Sequence, residues 1–268
     1  MMTEVFPWRE ASRADYAVIG DPVSHSLSPR MHMAAYRSLG LDLHYVAVHV
    51  PPGEVAEALD HLADLGYAGA NVTVPHKEEV LAWASKVDPF AARVRAGNTV
   101  RFGDRSIINT DGPGLLETLH GVGKRSGERV LLLGAGGSAR AIAQALVDAG
   151  FEVAIFNRTA ARAEELAAAV GAEAVERPDL RRAFLILNAT SASLSGGGLD
   201  LDWSEAGPSA LAYDLMYSVG PTPFLQAAQQ MGLETLDGRE LLVAQGALAF
   251  EYWLGRPAPR AVMREAIQ

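Results

Sequence analysis

The chain has 268 residues, 49% of them apolar and 21% charged, which is typical of a globular protein with enough apolar side chains for two modest cores. A formal net charge of −9 argues against a nucleic-acid-binding surface, and the absence of cysteine excludes disulfides, thiolate catalysis and cysteine-ligated metal sites. The apolar runs are too short to span a membrane, and residues 1–15 lack the apolar segment of a signal peptide. We therefore expect a cytoplasmic protein.

Apolar alternation and helical spacing predict regular elements along the whole chain. The first series comprises strands at 16–20, 44–50, 68–74, 99–102 and 106–109, a helix from about Pro29 and a helix at 52–65. The second series, from about Asp111, comprises helices at 115–119, 138–149, 160–170, 240–253 and 260–266 and strands at 129–133, 151–156, 184–187 and 210–214. This alternation predicts an α/β fold with two sheets, and SASLSGGG (191–198) is the one loose stretch.

A glycine-rich turn joins the predicted strand at 129–133 to the helix that follows it. The sequence Gly134-Ala135-Gly136-Gly137-Ser138-Ala139 fits the G-x-G-x-x-A pattern, in which the first glycine permits a tight turn and the second lets the backbone approach a pyrophosphate. Free N–H groups at the helix N-terminus would bind the anion. The context favours a dinucleotide site over a tight turn that has no ligand.

The next predicted strand ends in Asn157-Arg158-Thr159. A NAD site usually carries an acidic residue about 20 residues beyond the glycine turn. This strand end offers no carboxylate to repel a 2′-phosphate, and it offers a guanidinium to bind one. NADP is therefore favoured over NAD. In the alternative interpretation Thr159 caps the next helix while Arg158 is solvated, and both interpretations can hold together.

Two serines follow the first predicted strand. Ser28 precedes Pro29, a pair typical of an N-cap and first helical residue, so the Ser28 side chain is expected to cap the helix. Ser26 and His25 have no such role. Two hydroxyls at a helix N-terminus would also suit a carboxylate ligand. The residues alone favour neither interpretation, helix capping or carboxylate binding.

Three more polar clusters close predicted strands, which is where open α/β sheets bind ligands. They are Asn71, Thr73 and Lys77; Gly97-Asn98-Thr99; and Asn109-Thr110-Asp111. Oxidation of an alcohol without a metal needs a group that takes the hydroxyl proton as hydride leaves. Lys77 is the best candidate, with Asp111 as its partner, although Asp111 could instead cap the following helix. The seven histidines show no HExxH-type spacing, so no metal site is expected.

Taken together, these segments resemble the shikimate dehydrogenase family from about Tyr16 to the last helix. The matching segments are GDPVSHSLSPRMH, GANVTVPHKE, AGNTV, INTDGPG, LLLGAGGSARA, FNRT, LNATS, YDLMYSVGPTPFL and DGRELLVAQGALAFEYW. The resemblance implies a substrate domain with a mixed sheet at 1–112, to which helices at 238–268 return, and a Rossmann-like NADP-binding domain at 113–237. It also implies reversible NADPH-dependent reduction of 3-dehydroshikimate to shikimate in aromatic amino-acid biosynthesis.

The resemblance further implies roles for individual residues. Lys77 would be the catalytic acid and base, paired with Asp111. The substrate would be bound by Ser26, Ser28, Thr73, Lys77, Asn98, Asp111, Tyr217 and Gln245. NADP(H) would be bound by Gly134, Ala135, Gly136, Gly137, Ser138, Ala139, Asn157, Arg158, Thr159, Thr190, Leu215 and Gly238. The partner would be a small-molecule substrate, with neither nucleic acid nor membrane, and the protein would be a monomer or a homodimer.

Two places depart from the family pattern. Asp237-Gly238 continues as Arg239-Glu240-Leu241 where many members have Gly and Met, on the nicotinamide side, and Met33 stands where Asn is common. The alternatives are a dehydrogenase that prefers quinate or NAD, a non-catalytic ligand-binding homologue and an NADP-binding interaction module. The two serines and the strand end at 157–159 favour shikimate and NADP, while the presence of both Lys77 and Asp111 favours an enzyme.

Overall fold

The computed structural model describes residues 4–123, 127–190 and 201–268. The predicted loose stretch at 191–198 lies outside the described residues. The chain divides into two compact units, the first formed by Met1–Asp111 with Leu242–Gln268 and the second by Gly112–Leu241. No helix in the described part of the chain is both long and apolar enough to cross a membrane.

Strands and helices alternate through both units. The strands are β1 (Val5–Pro7), β2 (Tyr16–Gly20), β3 (Tyr45–His49), β4 (Gly69–Val72), β5 (Lys86–Val87), β6 (Thr99–Arg101), β7 (Ser106–Ile108), β8 (Arg129–Leu133), β9 (Glu152–Phe156), β10 (Glu173–Ala174), β11 (Leu185–Asn188), β12 (Leu211–Asp214) and β13 (Glu234–Leu236). The helices are α1 (Ser28–Ser38), α2 (Val55–Asp64), α3 (Pro89–Val94), α4 (Asp111–Gly121), α5 (Gly137–Asp148), α6 (Ala160–Val170), α7 (Pro223–Gln230), α8 (Gly238–Leu254) and α9 (Arg260–Ala266). Short 3-10 turns occur at Trp8–Glu10, Glu79–Trp83 and Trp203–Glu205.

The first unit contains a mixed sheet with the strand order β1-β3-β2-β4-β6-β7-β5. Strand β6 runs antiparallel to both of its neighbours, β4 and β7, while the other pairs are parallel. Because β6 is reversed, its amino end lies at the same edge of the sheet as the carboxyl ends of β2, β4 and β7. The predicted α/β class with a mixed first sheet is confirmed.

Helices cover both faces of this sheet, which explains why β2 is buried along its whole length. On one face, α2 places Val55, Leu59 and Leu62 on a single stripe against a core that includes Ile19 of β2. On the opposite face, α1 and the C-terminal helices supply Met31, Ala35, Tyr36, Val243, Ala247, Phe250 and Met263. The sheet is therefore the middle of three layers.

Residues 4–15, in the segment that the family resemblance leaves unexplained, extend the sheet. Strand β1 pairs with β3 at the edge, and Trp8 beyond it is buried. The Trp8 indole N–H donates to Glu54 Oε2 (2.6 Å), and Arg9 lies over the Trp8 ring while its guanidinium pairs with Glu54 (2.8 Å). The hydrogen bond from Trp8, with that of Arg9, holds the pKa of Glu54 below its ordinary value. This segment covers the start of α2.

The second unit is an all-parallel sheet with the strand order β10-β9-β8-β11-β12-β13. Its central strands β8, β11 and β12 are buried because both faces are covered, by α4, α5 and α6 on one side and by α7 on the other. The chain direction across the sheet reverses between β8 and β11. In open parallel sheets such a switch point forms a crevice at the carboxyl ends of the two strands.

The predicted capping role of Ser28 is wrong. Helix α1 starts at Ser28 itself, Leu27 occupies the N-cap position, and no side chain caps the helix. The Ser28 backbone N–H instead donates to Ser26 Oγ (3.2 Å). The Ser-Pro pair is shifted by one position into the first turn, where Pro is also tolerated. The Ser28 hydroxyl is thereby released for another partner.

His32 on α1 lies in the aromatic core of the first unit and is fully buried. Its ring stacks on Tyr45 with centroids 4.4 Å apart, and neither ring nitrogen has a hydrogen-bond partner within the described residues. Burial lowers the pKa of His32 to about 3. Protonation therefore favours the unfolded state, so this contribution to stability is present above the ordinary histidine pKa and is lost as the pH falls toward 3.

We expect the free energy of unfolding to fall between pH 6.5 and pH 4 with a contribution from His32 that approaches about 1.4 kcal/mol per pH unit. His32→Phe should remove this part of the slope. The control is Tyr36→Phe in the same cluster, because burial raises the pKa of Tyr36 far above this pH range. Urea unfolding at several pH values measures the slopes, and equal slopes for wild type and His32→Phe would contradict the expectation.

Candidate active site

The centre of the site is an ion pair between Lys77 and Asp111. Lys77 lies in the turn after β4, and Asp111 follows β7 as the first residue of α4. Lys77 Nζ is 2.6 Å from Asp111 Oδ2, and the side chains are 13% and 8% exposed. At that burial the pair is far less screened by solvent than a surface ion pair, so the carboxylate fixes the direction of the amine.

Asn98, just before β6, completes this arrangement. Its amide Nδ2 donates to Asp111 Oδ1 (2.9 Å), and its Oδ1 accepts from the Thr110 backbone N–H (2.8 Å). Both carboxylate oxygens of Asp111 are therefore bound, one by Lys77 and one by Asn98. The structure brings together three residues that the sequence predicted as site residues, because the reversed β6 returns Asn98 to the same edge as β4 and β7.

The turn that carries Lys77 is anchored at both sides. The Gly97 N–H donates to Lys77 O (2.7 Å), and the buried His76 ring donates through Nε2 to Val50 O (2.7 Å). Thr73 at the start of the turn crosses the end of β2, where a Cβ on Gly20 would lie 2.4 Å from Thr73 Cγ2. Gly20 thus permits the close approach of Thr73, and the backbone of the turn is fixed by contacts outside itself.

The predicted serines lie at the carboxyl end of β2, next to β4 in the sheet. Ser28 is buried, and its side chain lies near the hydroxyl of Tyr45. Burial raises the pKa of Tyr45 well above its ordinary value, so its hydroxyl keeps its proton. Ser26 is partly exposed and accepts from the Ser28 N–H. Both serines share the edge of the sheet with Lys77.

Gln245, the remaining predicted ligand in the first unit, lies on α8 and donates to Leu242 O (2.9 Å) on its own helix. Among the described contacts, none joins Gln245 to Lys77 or Asp111. Tyr217 belongs to the second unit, where it follows β12 in a partly buried loop. The structure thus unites Lys77, Asp111 and Asn98 by direct contacts, and Gln245 lies outside that group.

In the second unit the glycine turn stands at the carboxyl end of β8, beside the switch point. Gly134 has a φ of +113°, and a Cβ there would lie 2.9 Å from Thr190 Cγ2. At Gly136 and Gly137 a Cβ would meet nothing within 4 Å. Chain packing therefore requires Gly134 but not Gly136 or Gly137, whose open backbone at the start of α5 fits the approach of a phosphate group. Ala139 is fully buried under the turn.

Neighbouring strand ends complete this edge of the second sheet. Thr190 after β11 is held by Asn188 Oδ1, which accepts from the Thr190 N–H (3.0 Å) and hydroxyl (2.7 Å). After β9, Asn157 Nδ2 donates to Thr159 O (2.9 Å), and Arg158 is exposed. Thr159 occupies the N-cap position of α6, but its side chain makes no capping hydrogen bond. This edge of the second sheet therefore presents the start of α6, which no side chain caps, and the exposed guanidinium of Arg158.

Asp214 at the end of β12 is a residue that the sequence interpretation missed. It accepts from Asn188 Nδ2 (3.0 Å), from the Met216 N–H (3.0 Å) and from the Thr222 hydroxyl (2.6 Å). Fully buried, it joins the loops that carry the predicted residues Thr190, Leu215 and Tyr217. The signal was present in the sequence, since a lone Asp closing an apolar strand needs several donors.

Each of the two edges can do a specific kind of chemistry. The first offers an amine held by a carboxylate, which can exchange a proton with a substrate oxygen. The second offers open backbone N–H groups at a helix start, which can bind a phosphate. Within the residues that the structure describes, no cluster of three or more His, Asp or Glu side chains is arranged to hold a metal ion.

Comparison with known proteins identifies the family. The chain matches the shikimate dehydrogenase substrate binding domain at residues 18–100, shikimate/quinate 5-dehydrogenase at 117–195 and the shikimate 5′-dehydrogenase C-terminal domain at 238–268. It is 42% identical over 279 residues to the shikimate dehydrogenase (NADP(+)) of Moorella thermoacetica, with 97% of this chain and 94% of the relative covered. The chain belongs to the shikimate dehydrogenase family.

Solved structures of the family share the fold. The shikimate 5-dehydrogenase of Thermus thermophilus, in complex with NADP(H) and shikimate, is 40% identical with a TM-score of 0.87, over 94% of this chain and 97% of that chain. A quinate dehydrogenase of Corynebacterium glutamicum, in complex with NAD, is 28% identical with a TM-score of 0.82, over 94% and 97% of the two chains. The predicted family and fold class are confirmed.

The departure from the shikimate dehydrogenase pattern at Arg239 has a structural role. Its guanidinium pairs with Asp237 and donates to Ser218 O (2.6 Å), while the Gly238 N–H donates to Met216 O (3.1 Å). A Cβ at Gly238 would lie 2.1 Å from Leu215 O. Gly238 is thus required for close backbone contact, and Arg239 ties the start of α8 to the loop after β12.

We expect Gly134→Ala to lower the free energy of unfolding of the second unit by about 2 kcal/mol, because an L side chain is strained at this φ and meets Thr190. Gly136→Ala is the matched control, since its φ of −89° is ordinary. It should stay within about 0.5 kcal/mol of wild type. Urea unfolding of the two variants measures the difference, and equal stabilities would contradict the assignment of Gly134 as the glycine that the turn requires.

Proposed function

We propose that the chain is an NADP-dependent shikimate dehydrogenase, which reversibly reduces 3-dehydroshikimate to shikimate in aromatic amino-acid biosynthesis. The observation that carries the proposal is the ion pair of Lys77 and Asp111 at the carboxyl edge of the first sheet. Support comes from the Moorella relative, which is named an NADP(+) shikimate dehydrogenase, and from the Thermus structure, which contains NADP(H) and shikimate. The reaction is a hydride transfer at a CH–OH carbon of a small soluble substrate.

In this proposal Lys77 moves the proton. When the ketone is reduced, Lys77 Nζ donates a proton to the carbonyl oxygen as that carbon receives hydride. When the alcohol is oxidised, Nζ takes the hydroxyl proton. Asp111 accepts a hydrogen bond from Nζ throughout, which directs the amine and balances its charge. NADP(H), when bound, supplies or accepts the hydride.

The remaining predicted ligands are assigned by their positions. Ser26 and Ser28 would hold the substrate carboxylate at the N-terminus of α1, where the helix dipole favours an anion. Thr73 and Asn98 would bind ring hydroxyls beside Lys77, in the substrate domain formed by the first unit. Tyr217 and Gln245 would complete the set.

The second unit would be the NADP-binding domain. Its glycine turn from Gly134 to Ala139 would cradle the pyrophosphate, since Gly136 and Gly137 leave the backbone open. The strand end at 157–159 would take the 2′-phosphate, with Arg158 as the cation. Thr190, Leu215 and Gly238 would line the nicotinamide side. We place the protein in the cytoplasm, as a monomer or a homodimer.

A quinate dehydrogenase that uses NAD is the second candidate, because the Corynebacterium structure of that name shares the fold. The absence of a carboxylate in Asn157-Arg158-Thr159 favours NADP instead. Purified protein assayed with shikimate or quinate and with NADP or NAD distinguishes the candidates. Shikimate with NADP should give the highest kcat/KM. Faster turnover of quinate with NAD would overturn the proposal, and so would no turnover with any of the four pairs.

We expect Lys77→Met to lower kcat for shikimate oxidation by about 1,000-fold, because the proton acceptor is lost. The dissociation constant for shikimate, measured by calorimetry, should change by less than about threefold, since the side chain acts mainly in the transition state. The matched control is Lys86→Met, because Lys86 also pairs with an aspartate of the same unit but is 69% exposed. A Lys77→Met variant with most of the wild-type rate would remove Lys77 from the mechanism.

We expect Arg158→Ala to raise the KM for NADP by roughly tenfold or more and to leave the KM for NAD within about twofold, because the guanidinium meets only the 2′-phosphate. Arg182→Ala is the control for lost positive charge. Arg182 is also exposed but precedes β11, at the opposite edge of the sheet. Steady-state assays with both cofactors measure the ratio, and an equal loss with NADP and NAD would contradict the assignment of Arg158.

A further inference from the structure

A continuous line of buried side-chain hydrogen bonds runs from Tyr45 to Lys77 through the middle of the first sheet. Its members are Tyr45, Asn71, Thr99, Asn98, Asp111 and Lys77. Apart from Lys77, each is at most 6% exposed. In such surroundings hydrogen bonds are strengthened, and a polar group without a partner is costly. The line joins the proposed carboxylate end of the substrate site to the proposed catalytic end.

The line starts at Tyr45, whose hydroxyl lies near Ser28 and donates to Asn71 Oδ1 (2.8 Å). Because Asn71 Oδ1 accepts from Tyr45, its amide nitrogen must face the other way. There Nδ2 donates to Thr99 Oγ1 (3.2 Å) and to Asn98 O (3.2 Å). Because the Asn98 carbonyl can only accept, it sets the orientation of the Asn71 amide, and the Tyr45 hydroxyl binds the amide oxygen in that orientation.

The second half of the line carries this orientation to Asp111. Since Thr99 Oγ1 accepts from Asn71, its own proton is available to Asn98 Oδ1 (3.2 Å). The Thr110 backbone N–H donates to the same oxygen (2.8 Å), and a backbone donor cannot be reversed. The Asn98 Nδ2 therefore faces Asp111 Oδ1 (2.9 Å). A flipped Asn98 amide would put an oxygen against the carboxylate.

We propose that Tyr45 and Thr99 are positioning residues of the reaction, which act through Asn71 and Asn98 to fix the rotation of Asp111 and hence the direction of the Lys77 amine. This inference rests on the proposed function. Tyr45 and Thr99 do not touch Lys77 and serve no proton-transfer step. Their effect is to hold one carboxylate oxygen of Asp111 on Asn98, so that the other oxygen is presented to Lys77.

The test compares Thr99→Val, which has nearly the same shape but no hydroxyl, with Thr99→Ser, which keeps the hydroxyl. We expect Thr99→Val to lower kcat for shikimate oxidation roughly tenfold while KM changes less than about twofold. Thr99→Ser should keep at least about half of the wild-type kcat.

Tyr45→Phe removes a single oxygen at the other end of the line and should also lower kcat. Tyr36→Phe is its control, because Tyr36 lies in the same cluster and its hydroxyl has no hydrogen-bond partner among the described residues.

The double variant Tyr45→Phe/Thr99→Val decides between a connected line and separate local effects. If the line acts as a unit, the double variant has a kcat within about twofold of the slower single variant. Losses that multiply, or a Thr99→Val variant with wild-type kcat, would overturn the inference. Thermal unfolding of each variant shows whether it is folded, and Tyr45→Phe, which deletes one atom, tests the line if Thr99→Val is not.

The same data separate this inference from the proposed function. A wild-type protein without shikimate turnover overturns the proposed function, and the positioning role falls with it. An active wild type that loses its rate in Lys77→Met, but keeps its rate in Thr99→Val and Tyr45→Phe, overturns the positioning role alone.

Discussion

The candidate site of the first unit is organised around the ion pair of Lys77 and Asp111. Two charges that are mostly removed from water are costly unless each finds a well-placed partner. Here the partners come from strand ends that are far apart in sequence, and they meet because β6 runs against its neighbours. The reversed strand is therefore what allows a single edge of the sheet to hold Lys77, Asn98 and Asp111.

The candidate site of the second unit is built from backbone groups rather than from an ion pair. The central strands of its parallel sheet are buried and largely apolar, and the candidate binding groups lie in the loops at its carboxyl edge. There the backbone supplies the binding groups, through the turn at Gly134 and the start of α5, and buried Asp214 holds the adjacent loops. In the family to which the chain belongs, a proton-transfer group and a phosphate cradle are the two parts that a dehydrogenase of this kind requires.

Local pattern was enough to predict the longer elements and the family, because β2, β8 and α6 have apolar spacing that fixes their type. It failed for β1 and for the two-residue strands β5 and β10, which exist through pairing with distant partners. It overlooked α7, although Thr222-Pro223 is a cap and first-turn pair whose Thr222 hydroxyl accepts from the Leu225 N–H. It also assigned the cap of α1 to Ser28, one position too late.

In the candidate site, too, local pattern predicted some features and missed those that depend on distant contacts. Lys77, Asn98 and Asp111 lie next to the ends of predicted strands, so their positions in the chain were enough to identify them as candidate site residues. The link between Tyr45 and Asn71 spans 26 residues and two strands, and it depends on the register of the sheet, which no local pattern contains. Side-chain networks of this kind become visible only when the strand order is known.

We infer that Asp111 contributes to turnover through Lys77. A double-mutant cycle on kcat tests it most directly, with Lys77→Met, Asp111→Asn and the double variant assayed for shikimate oxidation at saturating shikimate and NADP. We expect the double variant to be no slower than Lys77→Met alone, within about twofold, because the carboxylate has no amine left to direct. Losses that multiply in the double variant would contradict it.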